Sequence, residues 1–204
     1  MGVTCVFRWK DANGYQSLNY IQDRITKSLQ GRPLGRWSVT WKVYRDTNPA
    51  VRAGTGKLLH QVAFSQRPRY LCCMVDGGPL VEAEREMETV LLKLKNLWVL
   101  RQAAQIEGTS YVVGDFIVRA ANVLIGSSYK GVIIEIEYLP CYLCSSNAST
   151  PILLEFISKI TPPGAQFSYG VDINYSEAGL SEEEFSTAHT GYQYISLFKK
   201  DILQ

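Results

Sequence analysis

The stretch from Thr109 to Cys141 constrains the fold of this chain more than any other part of its sequence. Within it, apolar side chains recur at every second position, namely Val132, Ile134, Ile136 and Tyr138. This spacing places them on one face of a β-strand. Gly114-Asp115 and Gly126-Ser127-Ser128 are turn signals on either side of an apolar run. The pattern predicts a three-strand antiparallel meander at 109–113, 115–125 and 131–139.

The rest of the chain mixes strand and helix periodicities without the strict alternation that a parallel sheet requires. Alternating or apolar runs predict strands at 3–9, 36–46, 57–65, 69–76 and 80–83, with a short one at 167–173. Apolar residues at three- and four-residue steps predict helices at 13–30, 84–103, 150–160 and 181–202. The last helix would begin with a capping box, Ser181 with Glu184. The predicted class is α+β: a multistranded antiparallel β-barrel of about eight strands, flanked by about four helices, in a single domain over 1–204.

Charge is unevenly distributed along the chain. Residues 1–70 hold 12 Lys/Arg against 3 Asp/Glu, whereas residues 71–204 hold 9 against 16. A basic half can indicate a nucleic acid or an acidic protein partner, but the favoured interpretation is that the halves fold together and their charges interleave. No apolar run reaches the roughly 18 residues of a membrane span, and the first residues lack a signal peptide's long apolar region, which predicts a cytosolic or nuclear protein.

Glu135 and Glu137 are the one pair of acidic residues whose spacing suggests catalysis. Carboxylates at i and i+2 point to the same side of a strand, as a divalent cation requires. Tunnel-type triphosphatases use such pairs, usually followed two residues later by a lysine, where this chain has Leu139. Because the opposite face of the strand is apolar, the favoured hypothesis is that the apolar side chains face the barrel interior and the two glutamates face solvent or a partner.

Other motifs fit structural roles better than chemical ones. Cys141 and Cys144 form a C-x-x-C, but zinc needs four ligands and the sequence has no second such motif, so the five cysteines are predicted to be free thiols. The adjacent Cys72 and Cys73 should point to opposite sides of a strand. The run GTGKLL at 54–59 lacks the full phosphate-loop pattern and predicts a hairpin turn. No catalytic, cofactor or metal residues are therefore predicted.

Several segments together carry a resemblance to a known family. They are MGVTCV at 1–6, TGKL at 55–58, VLLKLKNLW at 90–98, IEGTSYVVGDFIVR at 106–119, KGVIIEIEYLPC at 130–141, ILLEF at 152–156 and YQYISLF at 192–198. Their identity and order resemble the Mediator subunit 20 family, which is associated with TBP-related factors. The match is poor over 8–54 and 162–185.

The resemblance implies a non-catalytic nuclear protein of the Mediator head module. Members of this family form a heterodimer with Mediator subunit 18, share its barrel fold, and connect through subunit 8 to the other head subunits. The pair lies near RNA polymerase II, helps to bridge regulators to the basal machinery, and is linked to the TATA-binding protein. The resemblance implies no cofactor, no sequence-specific nucleic-acid binding and no membrane association. The competing hypothesis is a metal-dependent triphosphate phosphohydrolase that uses Glu135 and Glu137.

Overall fold

A computed structural model of the chain describes residues 1–47, 56–94, 97–144, 149–169 and 173–201. Its strands are β1 Val3–Trp9, β2 Arg32–Asp46, β3 Leu58–Phe64, β4 Tyr70–Val75, β5 Leu80–Glu84, β6 Trp98–Val113, β7 Phe116–Ile125, β8 Ser128–Tyr138 and β9 Phe167–Tyr169. They form one antiparallel sheet in the order β5-β4-β3-β2-β6-β7-β8-β1-β9. Parts of four predicted elements lie outside the described residues, namely 54–55 of the predicted hairpin turn, 95–96 of the helix predicted at 84–103, 170–172 of the last strand and Ile202 of the last helix.

Four α-helices pack against this sheet in the described part of the chain. They are α1 Gly14–Asp23, α2 Met87–Lys93, α3 Ser149–Ile160 and α4 Thr187–Asp201. A π-helical turn at Arg24–Ser28 extends α1, and a 3₁₀ turn spans Tyr175–Ala178. The predicted α+β class and helix number are therefore confirmed. Among the described helices, none is both long and apolar enough to span a membrane.

The sheet is open, so the predicted closed barrel is wrong. Its outer strands, β5 and β9, are not hydrogen bonded to each other, yet α4 contacts both of them. Nine strands about 4.8 Å apart would span roughly 38 Å if flat, whereas a helix of 15 residues is only about 22 Å long. The sheet must therefore curl around α4. The helix fills the interior, and the two edges of the sheet do not meet.

Apolar side chains cover both faces of the sheet. The inner face packs on α4 through large buried groups, including Trp37, Trp41, Tyr194 and Phe198. The rings of Trp41 and Phe198 stack with their centroids 4.7 Å apart. The outer face packs on α1 and α3 at one end and on α2 at the other. The predicted placement of Cys72 and Cys73 on opposite faces of the sheet is confirmed.

The predicted meander is present, but two helices begin or end elsewhere than predicted. Of the described residues in the helix predicted at 84–103, only those of α2 are helical, because the chain from Trp98 onward pairs with β2, starting at Asp46. The capping box does not begin α4, which starts at Thr187. The residues before it are extended, because Phe185 N donates to the Tyr142 carbonyl oxygen and Cys144 N donates to the carbonyl oxygen of Glu183. These bonds use backbone groups that a longer helix would need.

The two halves of opposite charge fold into one another, as predicted. Four ion pairs join a base from the first 70 residues to an acid from the rest: Arg8–Asp201, Lys10–Asp201, Lys42–Glu88 and Arg67–Glu82. The shortest of these has an N–O distance of 2.6 Å. The excess of positive charge in residues 1–70 is therefore partly neutralised within the fold.

Gly191 allows α4 to approach the sheet closely. A Cβ atom built on it would lie 2.7 Å from Cys72 Sγ and 3.0 Å from Cys72 Cβ. Gly191→Ala should therefore destabilise the protein by about 1–3 kcal/mol through overpacking, although alanine favours helices by about 1 kcal/mol. Chemical denaturation would measure this. Adding Cys72→Ala should restore part of the loss, and a Gly191→Ala protein as stable as the wild type would contradict the close contact.

Candidate functional site

Glu135 and Glu137 meet a single arginine on the inner face of the sheet. Arg119 of β7 lies directly opposite Glu135 of β8 in the strand register. Its Nη1 donates to Glu135 Oε1 at 2.5 Å, and its Nη2 donates to Glu137 Oε2 at 2.9 Å. The guanidinium thus spans both carboxylates, in charge-assisted bonds of the strongest kind that side chains make. We call Arg119, Glu135 and Glu137 the ion cluster.

Three further contacts complete the hydrogen bonding of the ion cluster. Tyr194 of α4 donates its hydroxyl proton to Glu135 Oε2 at 2.8 Å. The main-chain nitrogen of Gly2 donates to Glu137 Oε1 at 3.0 Å. With its amide oxygen turned inward, Gln66 accepts from Arg119 Nε at 3.0 Å and from Trp37 Nε1 at 2.7 Å. The cluster therefore connects β7 and β8 to α4, to the start of the chain and to the turn that follows β3.

The predicted exposure of the two glutamates is wrong. Glu135 is 2% exposed and Glu137 is 5% exposed. Their apolar neighbours Val132, Ile134 and Ile136 are also buried, but on the outer face with α1 and α3 rather than in the interior that was predicted. Strand β8 is buried on both faces because α4, from the far end of the chain, covers the side that carries the glutamates. A truncation such as Glu135→Ala removes a buried partner of Arg119, not a solvated carboxylate.

Burial and mutual contact set the protonation of these groups. Burial raises the pKa of Glu135 above its usual value, although Arg119 and Tyr194 favour the ionised form. Burial opposes the charge on Arg119, but the two carboxylates outweigh it and raise the pKa of the guanidinium. Burial, reinforced by Glu135, raises the pKa of Tyr194 well above its ordinary range, so its hydroxyl remains a proton donor. Arg119 and Tyr194 therefore keep their protons and act as hydrogen-bond donors to the glutamates.

The contacts of the ion cluster suit a structural role better than the binding of a metal ion. Each carboxylate oxygen already accepts a hydrogen bond, and the guanidinium between the two groups repels a divalent cation. Leu139 is 45% exposed, outside the cluster. A cavity of about 190 Å³ adjoins the cluster, with Met1, Phe64 and Thr190 in its wall. No group of three or more potential metal ligands occurs within the described ranges.

Gln193 makes a second buried polar link between α4 and the sheet. Its Oε1 accepts from Val6 N at 2.9 Å, and its Nε2 donates to the Thr4 carbonyl oxygen at 2.7 Å. A peptide group of a neighbouring strand would make the same two bonds with β1. Strand β9 pairs with β1 only from Phe7 to Trp9, so Gln193 satisfies the backbone where that pairing is missing. Its Nε2 also donates to the Tyr175 hydroxyl at 2.8 Å.

Burial keeps two of the cysteines and His60 in their uncharged forms. Burial, with a smaller contribution from Glu182, raises the pKa of the Cys144 thiol to about 11, and burial raises that of Cys72 to about 12. Both thiols therefore stay protonated at neutral pH. His60 is buried and lies 3.2 Å from Asp76 through its Nε2 and the Oδ1 of that residue. Burial lowers the pKa of His60, which keeps the ring neutral.

Sequence reasoning found the glutamates but missed Arg119, Tyr194 and Gln193. A signal for Arg119 was available in the turn between β7 and β8. Gly126 has a φ of +58°, and the strands pair immediately beside it at Ile125 and Ser128. A two-residue hairpin fixes the register of its strands, and this register brings position 119 opposite 134 or 135. The residues on α4 had no comparable signal, because their contacts depend on a helix distant in sequence.

The fold and the ion cluster define a class of protein. It is an α+β protein with an open antiparallel sheet that wraps around its C-terminal helix, and its most concentrated set of buried charges is engaged in structural contacts.

A family model described as "TATA-binding related factor (TRF) of subunit 20 of Mediator complex" matches residues 1–199. The human protein named "Mediator of RNA polymerase II transcription subunit 20" is 30% identical over 210 residues, which cover 98% of this chain and 94% of the human one. The protein of the same name from Schizosaccharomyces pombe is 31% identical over 159 residues, covering 70% of this chain and 78% of its own length. A chain in the structure of the S. pombe Mediator head module aligns with a TM-score of 0.44 and 12% identity, covering 82% of this chain and 98% of its own length.

The chain belongs to the Mediator subunit 20 family. This follows from the family model, which spans 199 of the 204 residues. The resemblance that the sequence segments suggested is thereby confirmed.

Proposed function

We propose that this chain is a non-catalytic subunit of the Mediator transcription coactivator complex and acts in the nucleus. The observation that carries the proposal is the extent of the match. Proteins named as Mediator subunit 20 align with 98% of this chain over 94% of their own length. Such end-to-end similarity supports the same role for the whole chain, acting as one domain over residues 1–204.

The proposal includes specific partners. The chain forms a heterodimer with Mediator subunit 18 in the head module, connects through subunit 8 to the other head subunits, and helps to bridge regulators to RNA polymerase II and the TATA-binding protein. Exposed apolar side chains support an interaction role, since interfaces use such groups. Six of them lie close together in sequence: Val90, Leu92, Leu94, Leu97, Val99 and Leu100.

The absence of catalysis is part of the proposal. It rests on the ion cluster, in which Arg119 occupies the position between the two carboxylates that a divalent cation would need. We expect purified protein to show no Mg²⁺- or Mn²⁺-dependent turnover of ATP or triphosphate. Turnover that disappears in Glu135→Gln would favour the phosphohydrolase hypothesis instead.

Co-expression with subunit 18 tests the partner assignment. We expect the two chains to elute together from a gel-filtration column, with a mass by light scattering that equals one copy of each. The Gly191→Ala protein is a useful comparison, because it is altered inside the fold and should still bind if it folds. Separate elution of two monomers, each with the circular dichroism of a folded protein, would contradict the proposed heterodimer.

A further inference from the structure

Three large apolar side chains are exposed close together in sequence where the chain leaves β8. Leu139 is 45% exposed, Tyr142 is 59% exposed and Leu143 is 45% exposed. Strands β6 and β8 run in the same direction, since each is antiparallel to β7. The segment after β8 therefore lies at the opposite end of the sheet from Trp98, which begins β6. Grouped apolar side chains on a surface, unlike single ones, indicate a site of interaction.

Acidic residues border these apolar side chains on two sides. Leu139 N donates to the carbonyl oxygen of Asp115 at 3.0 Å, which places this exposed aspartate beside the leucine. On the other side, Leu143 and Glu184 form an antiparallel bridge. The hydrogen bonds of this bridge, 2.8 Å and 3.0 Å long, join the residues before and after the pair, not the pair itself. In a pair of this kind the opposite side chains are at their closest, so Glu184 lies next to Leu143.

The carboxylates of this surface have no basic side chain as a partner. They are four exposed groups, Asp115, Glu182, Glu183 and Glu184. None of them forms an ion pair with a lysine or arginine of the described residues. The sequence contains no lysine or arginine at 131–158 or at 160–198. An α-ammonium group at Met1, whose sulfur lies 3.3 Å from Thr187 Oγ1, would offset one of the four charges at most. The surface therefore carries a negative electrostatic potential.

We propose that this acidic–apolar surface binds a basic, amphipathic segment of a partner protein, in which apolar side chains are flanked by lysine or arginine. Its apolar side chains cover Leu139, Tyr142 and Leu143, and its basic side chains pair with the four carboxylates. Complementary charge of this kind determines which partner binds. The phosphates of nucleic acids and of anionic lipid surfaces do not fit, because carboxylates repel them. A second copy of this chain does not fit either, because a twofold interface would bring the same four carboxylates together.

The position of the surface gives the chain two separate places for partners. The exposed apolar cluster at 90–100 lies at the end of the sheet where β6 begins, and the acidic–apolar surface lies at the end where β8 finishes. A segment bound at one end therefore leaves the other end accessible.

A short synthetic peptide that alternates leucine with arginine tests the binding. The same peptide with glutamate in place of arginine is its control. Fluorescence anisotropy gives the affinity of each for the full chain without subunit 18, so the result does not depend on the heterodimer. We expect the basic peptide to bind about tenfold or more tightly than the acidic one. Nuclear magnetic resonance of the ¹⁵N-labelled protein should show perturbations centred on 139–144 and 181–185. Equal affinities, or perturbations centred elsewhere, would overturn the proposal.

A double variant tests the apolar part of the surface. Leu139→Ser combined with Tyr142→Ser should weaken binding of the basic peptide about tenfold, because two anchoring side chains are lost while the charge is unchanged. The matched control combines Leu34→Ser with Tyr15→Ser, which are 58% and 80% exposed elsewhere on the protein, and it should bind as the wild type does. Wild-type affinity in the first protein, or an equal loss in the control, would overturn the proposal.

A triple variant tests the charge. Replacing Glu182, Glu183 and Glu184 by glutamine should also weaken binding about tenfold, and added salt should then reduce the affinity less than it does for the wild type. The matched control replaces three other exposed glutamates by glutamine, and its members are Glu84, Glu86 and Glu107. This control has the same net charge as the test protein and should bind the basic peptide as the wild type does. If both triple variants lost the same affinity, the net charge of the protein would explain the binding and the assigned surface would be wrong.

Discussion

Replacing Arg119 with methionine should lower the free energy of unfolding by about 3–5 kcal/mol at pH 7. Methionine has a similar length and keeps the apolar contacts of the arginine stem. It leaves Glu135 and Glu137 buried beside each other without a guanidinium. Breaking a buried pair by removing one partner is among the most destabilising single changes, because the remaining charge keeps its desolvation penalty. Urea denaturation would measure the loss.

The pH dependence of this variant identifies the cause. Without Arg119, burial and repulsion from Glu137 raise the pKa of Glu135 in the folded state further above that of the unfolded state. The folded protein then binds more protons than the unfolded one, so stability should rise as the pH falls from 7 toward 5. Arg101→Met, on an exposed part of β6, should change stability by less than about 0.5 kcal/mol at either pH. An Arg119→Met protein as stable as this control would contradict the structural role of the cluster.

Gln193→Leu should destabilise the protein by about 3 kcal/mol, although leucine favours helices slightly more. The substitution leaves Val6 N and the Thr4 carbonyl oxygen buried without the partners that Gln193 supplies. An unsatisfied buried group costs about 1–3 kcal/mol. Thermal and urea unfolding should both report the loss.

Two matched variants distinguish lost hydrogen bonds from altered packing at Gln193. Gln22→Leu, on the exposed face of α1, should be nearly neutral. Gln193→Glu keeps an acceptor for Val6 N but places a second oxygen against the Thr4 carbonyl, so it should also destabilise, and less so at low pH where the carboxyl can donate. If Gln193→Leu matched the wild type, the bonds between α4 and β1 would contribute nothing to stability.

Local periodicity predicted the elements whose own apolar pattern agrees with the conformation that their tertiary contacts select. The meander, the strand with Trp37 and Trp41, and the first and third helices are of this kind. The helix predicted at 84–103 is wrong from Trp98 onward, because this part of the chain pairs with β2 instead of forming a helix. Pairing with a strand more than 50 residues away decides the conformation of Trp98, and no local propensity encodes it.

The ion cluster could be predicted only in part, for a physical reason. Alternation along β8 correctly separated the glutamates from the apolar side chains, and the polar face was then assigned to solvent. That inference fails when a second layer covers the polar face. Here α4 is buried on most of its circumference, so an amphipathic pattern describes it poorly, and Gln193 and Tyr194 resemble surface residues in sequence. Their role follows from the curled sheet, which is a property of the whole chain.

Purification of the tagged chain from nuclear extract, followed by quantitative mass spectrometry, tests the central claim most directly. The account predicts that Mediator subunits are recovered in amounts close to that of the tagged chain, with subunit 18 among them. Arg119→Met should recover less of the complex in proportion to its loss of folded protein, whereas Arg101→Met should recover the same amount as the wild type. A folded tagged chain that recovers no Mediator subunits would contradict the account.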